Sequence, residues 1–329
     1  MEPDRTQAIR TLRRDREVLE NGTRMLRLAE SGACTLFEPA AHGRPCGCLV
    51  HRTRGHAALP SACRHFPRVF LRDAHSIRLS LSHYCPTAAS LLFADEPLCI
   101  AEAPAVLVPR GDREGLDATG ALPPLLHPGM LMDPASYAEW EARSVAALAE
   151  AVPPEEALAR IAASAERLRS WTPASVPLPE AVRRACDETG DALPALSSDR
   201  LAAAWLAEEA FASVLAGLSV DEAPLDVDAD RCFVTRPWPA FAAPVRRYLA
   251  GRLFGSWVAY QGEGLRTVVA SVACALAVLR IEAARVCADA SRLLDAALLT
   301  EAVRRTDLLL VHKADRQILA GRLSRVEQR

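Results

Sequence analysis

Residues 265–290 read LRTVVASVACALAVLRIEAARVCADA. Val268, Val272, Leu276, Leu279 and Val286 recur at near-helical spacing, which predicts one long helix from about Leu265 to Ala290 with an apolar stripe turned to a core. Shorter helical stretches flank it, Val245 to Trp257 before and about 292–322 after. Gln261-Gly262-Glu263-Gly264 forms the helix–helix turn on its near side. Further out, Asp133 followed by Pro134 is a start signal: a side chain that caps free amides, then a residue already fixed at helical φ. A helix therefore runs through YAEWEARSVAALAEA until Pro153–Pro154 break it, and a second follows over 155–170. Ser198 or Asp199 opens another over LAAAWLAEEAFASVLAGL. Residues 7–30 predict one amphipathic helix carrying Ile9, Leu12, Val18, Met25 and Leu28, and 86–95 predict a short one opened by Pro86. Linkers fill the gaps: 96–132, where IAEAPAVLVP reads as a strand and ALPPLLHPGMLMDP as loop, then 171–180, and a Pro-rich acidic loop over 223–244.

The chain has 329 residues, 50% of them hydrophobic, enough for a buried core and too many for a disordered chain. Aromatics are only 5%, and Ala and Leu carry most of the apolar mass, which favours helices over sheets. The expected fold is mostly α: an N-terminal helix (1–30), a small irregular module (31–95), a linker (96–132) and a helical body (133–329). A net charge of −2 excludes a globally basic nucleic-acid binder. An acidic middle between basic flanks predicts complementary packing within one chain. No run of 18 uncharged apolar residues stands in the sequence, and MEPDRTQAIRTLRRDRE lacks the apolar core of a secretory signal. The expectation is a cytoplasmic protein with neither nucleic acid nor membrane as partner, whose ten Cys do not pair as structural disulfides.

Half of those Cys and six of the eight His fall in residues 31–86, where no helical period outlasts two turns. A stretch with so little aliphatic core needs a staple. Thiolate is the soft ligand that zinc and iron–sulfur centres select, and four thiolates close a tetrahedral site. Cys34, Cys48, Cys63 and Cys85 are the candidate ligands, with Cys46, His51 and His83 as alternates. Arg64 and Arg68 would offset the charge of a four-thiolate site or bind an anionic ligand. Cys99, Cys186, Cys232, Cys274 and Cys287 are isolated and read as small buried hydrophobes. Trp257 and Tyr260 read as core, or alternatively as an aromatic wall for a cation. Val311–Asp315 reads as plain helix surface. There is no G-x-S-x-G, P-loop or H-E-x-x-H motif, so hydrolase and nucleotide-triphosphatase chemistry finds no support.

Four motifs in order, Cys34-Thr-Leu-Phe, Cys48-Leu-Val-His, Leu59-Pro-Ser-Ala-Cys63-Arg-His-Phe-Pro-Arg68 and Leu79-Ser-Leu-Ser-His-Tyr-Cys85-Pro-Thr-Ala-Ala, resemble the YkgJ-type cysteine-cluster family. That family includes the flagellin lysine N-methylases. The specific part of the resemblance is residues 34–92, and the family's opening C-x-x-C-rich cluster has no counterpart in residues 1–33. The resemblance implies a cysteine-bound iron–sulfur cluster or zinc. It further implies methyl transfer from S-adenosylmethionine to lysines of a flagellin-like protein. The rival expectations are a non-enzymatic protein whose metal is structural or being delivered, and a degenerate relative that binds no metal.

Overall fold

A computed structural model describes residues 17–20, 23–26, 34–38, 47–104, 107–108, 115–188 and 233–326, the first two stretches as backbone. The chain divides into two compact units, residues 1–66 with 109–114, and residues 67–108 with 115–329. The described residues are mostly helical, as composition predicted.

In the first unit, β1 (Glu17–Glu20) pairs antiparallel with β2 (Thr23–Leu26), Glu20 facing Thr23. This corrects the helix expected over 7–30, whose other residues lie outside the described ones. Asn21-Gly22 stands between the strands in sequence, the dipeptide most favoured in two-residue hairpin connections, and it outweighs a loose apolar periodicity. A second small pair follows, β3 (Phe37–Glu38) with β4 (Gly47–Cys48), Phe37 opposite Cys48. Short helices α1 (Leu49–Arg54) and α2 (Ser61–His65) complete the unit. Among its described residues the apolar centre is Leu36, Val50 and Leu59, with Cys34, Cys48 and Ala58 packed against them.

The boundary expected near residue 95 falls after Phe66. Residues 67–95 join the larger unit because they pair with its sheet and pack on its helices. β5 (Arg68–Arg72) and β6 (Ile77–Leu81) form a hairpin, α3 (Pro86–Ser90) follows, and β7 (Gly115–Asp117) lies parallel on the other edge of β5. The described part of IAEAPAVLVP contains no strand. Instead β8 (Leu125–His127) and β9 (Met130–Leu131) pair within the stretch read as loop.

The helical body opens as expected. The Asp133 side chain accepts the Ser136 amide at 2.9 Å and starts α4 (Pro134–Ala149), and α5 (Pro154–Arg169) begins at the second proline. Then come α6 (Leu178–Asp187), α7 (Ala242–Leu253), α8 (Val258–Gln261) and α9 (Leu265–Ala290). The helix expected from Ser198 or Asp199 lies outside the described residues. α9 is buried on nearly every side rather than along one stripe, against α5, α7, α10 (Ala296–Asp307) and α11 (Arg316–Val326). Its run of Ala, among them Ala270, Ala273, Ala277 and Ala283, lets those neighbours approach. It is the one described helix long and apolar enough to cross a membrane, and 83% of its most apolar window is buried inside the protein. Gly264 precedes it at φ +125°, where a Cβ would stand 2.8 Å from the Leu126 carbonyl oxygen.

The single helix expected over 292–322 is three pieces. α10 ends in a π turn (Leu308–Lys313), the chain extends at Ala314, and Asp315 caps the Ile318 amide at 2.9 Å to restart the helix as α11.

Candidate functional site

The cysteine-bearing unit seats two of the expected ligands together. Cys34 and Cys48 both pack on the Leu36–Val50–Leu59 cluster, one ahead of β3 and one ending β4. The Leu36 amide donates to Cys34 Sγ at 3.4 Å, and the Phe37 amide to the Cys34 carbonyl at 2.9 Å. Both thiols are half-buried and free.

The other expected ligands are placed differently. Cys63 is exposed on α2 and Arg64 is half-buried beside it. His51 is exposed on α1, its ring edge-on to His56 at 5.9 Å. Arg68 opens β5 opposite Leu81. Cys85 precedes α3 in the larger unit. Cys46 and Cys232 lie outside the described residues. Among the described residues no three or more His, Cys, Asp or Glu gather as a metal-holding group. Of the Cys read as buried hydrophobes, Cys274 and Cys287 are buried, Cys186 half-buried and Cys99 exposed. Burial pushes the Cys274 thiol up to about 12, which keeps it protonated and inert.

His83 sits inside the helical unit. Its backbone amide donates to Asp307 Oδ2 at 2.6 Å, and its Nδ1 lies 3.4 Å from the same carboxylate. Its ring meets Tyr248 edge-on at 5.5 Å, and the Tyr248 hydroxyl donates to Asp307 Oδ1 at 3.0 Å. Burial alone would raise the Asp307 carboxyl, but the His83 contacts and the Arg252 charge hold it below the usual carboxylate range. Next to it, Ser82 Oγ and His312 Nε2 stand 2.7 Å apart, so Val311–Asp315 is a bonded turn and not plain helix surface.

A second buried cluster escaped sequence reading. Arg78 on β6 donates through Nε to Glu141 on α4 at 2.7 Å and through Nη1 to Asp73 at 2.5 Å. Glu141 also accepts the Gly255 amide at 3.0 Å, and Asp73 accepts the Tyr260 hydroxyl at 2.9 Å. Burial would raise Asp73, but amides of His75 and Ser76 with Arg78 and Tyr260 bring it to about 2. Burial dominates at Glu141 and raises its carboxyl despite Arg78. A buried Arg hydrogen-bonded to two carboxylates is a structural clamp, and no sequence pattern marks which charges pair across 63 residues.

Beside these clusters the helical unit opens a small cleft of about 60 Å³. Its walls carry Arg252 and Arg316, the hydroxyls of Ser80, Ser82, Ser256 and Ser271, an apolar floor including Cys274 and Leu319, and no carboxylate. Trp257, read from sequence as core or as a cation wall, lies here half-buried with the Arg316 guanidinium 3.1 Å from its ring centroid. Its Nε1 donates to the Phe70 carbonyl at 3.2 Å. Compared with protein-family models, with curated proteins and with solved structures, the chain matches none.

Proposed function

We propose that the chain is a cysteine-cluster metal-binding protein resembling the flagellin lysine N-methylases, with the ligand set read from its sequence, Cys34, Cys48, Cys63 and Cys85. The observation that supports it most directly is the Leu36 amide on Cys34 Sγ, with Cys48 seated on the same small core. Two thiols held this way are half of a tetrahedral set. The described arrangement does not supply the other half, so binding of iron or zinc is coupled here to ordering of the chain around the metal. A metal would add folding energy beyond that of the three buried aliphatic residues among those described in this unit. In the methylase reading the metal module serves transfer of a methyl group from S-adenosylmethionine to a protein lysine. That reading predicts one electrophile and one amine acceptor brought in line.

Anaerobic purification followed by metal analysis and absorption spectroscopy tests the metal. Stoichiometric iron with thiolate-to-iron absorption, or stoichiometric zinc without colour, supports it. Loss of that metal in Cys34→Ala and Cys63→Ala is expected, while Cys99→Ala retains it. A metal-free protein, or retention in all three variants, overturns it. Transfer of labelled methyl to a lysine-rich flagellin-like protein tests the enzymatic part. The chain's single lysine, Lys313, leaves almost no acceptor background of its own.

A further inference from the structure

The cleft in the helical unit carries a charge pattern that neither the cysteine module nor any motif explains. Two guanidinium groups face a space with four hydroxyls and no carboxylate. The Asp307 carboxylate stands 3.9 Å from Arg252 and is already taken by the His83 amide and the Tyr248 hydroxyl. Arg252 Nε is buried without a hydrogen-bond partner. Such a donor marks a guanidinium whose hydrogen-bonding capacity the protein leaves partly unused. Arg316 is held flat against Trp257, with Nη2 donating to the Val311 carbonyl at 2.9 Å, so its orientation is fixed before anything binds. Planar forks of fixed orientation recognise carboxylate and phosphate oxygens, and the apolar floor suits an uncharged body behind them.

We propose that this cleft binds a small organic anion, a carboxylate or phosphate on an apolar body, gripped by Arg252 and Arg316. The anion lies against the two guanidinium groups, and the body lies toward Cys274 and Leu319. This site is independent of the metal reading, since every residue it uses belongs to the helical unit.

The test is calorimetry on the full chain with benzoate, phenyl phosphate and uncharged benzyl alcohol as probes, with Trp fluorescence as a second readout. Benzoate or phenyl phosphate is expected to bind, and the tighter of the two names the head group. Arg252→Gln and Arg316→Gln should each weaken binding about tenfold, roughly the loss of one charge-assisted fork. Should Arg252→Gln unfold by circular dichroism, Arg316→Lys, which keeps the charge but loses the planar fork, carries the same expectation. Binding of benzyl alcohol as tight as that of the anions, no binding by any probe, or anion binding indifferent to both arginines overturns the proposal.

Discussion

Arg78 is the residue on which the larger unit's charged interior turns. It answers two carboxylates at once, and both would be left buried without a countercharge by Arg78→Met. Breaking a buried pair from one side costs about 3–5 kcal/mol, so this variant should unfold at clearly lower urea than the parent. Asp73 gives the cluster a pH signature. Its folded value of about 2 lies below the ordinary 3.8, so its stabilising contribution is complete above about pH 4 and disappears as pH falls through 2. The contribution is on the order of 2 kcal/mol. Urea midpoints measured from pH 5 to pH 2 should fall more steeply for the parent than for Asp73→Asn, and equal slopes would remove Asp73 from the account.

Between residues and the whole lie the helices, and their boundaries were the part of the fold most open to reading. Asp133-Pro134, Pro153–Pro154 and the 265–290 run each carry a local cause, a cap, a break and a period, and each stands where that cause puts it. Asp133→Ala should cost about 1 kcal/mol in thermal unfolding. Gly264→Ala should cost about 1–3 kcal/mol, because φ +125° strains any side chain and the Leu126 carbonyl occupies the Cβ position. What stayed hidden lacked a local cause. β7 is three residues long and exists because β5 offers it an edge. The Arg78 clamp and the Arg252–Arg316 cleft gather side chains from elements far apart in sequence, and ordinary arginines gave no sign of them. The hairpin at 17–26 is legible in Asn21-Gly22, a local turn signal stronger than the loose apolar spacing around it.

At the scale of the molecule, the described parts of the two units differ in how much apolar surface holds them. One is centred on α9 and its neighbours, whereas the described residues of the other gather around Leu36, Val50 and Leu59. Hydrogen exchange should therefore protect α9 amides to nearly the global free energy and leave β3, β4 and α1 far less protected. Iron or zinc added anaerobically should raise protection in the cysteine-bearing unit and leave α9 unchanged. An unchanged β3–β4 pair would count against metal-coupled ordering. The Asp73–Arg78–Glu141 clamp also bears on how such a chain can evolve. Each partner alone is expensive to lose, yet similar clusters elsewhere can be exchanged wholesale for apolar side chains at little cost. The intermediate sequences are the unfit ones, so the trio is entrenched by epistasis. Relatives of this chain would be expected to keep all three charges or to have replaced all three, with few lineages caught halfway.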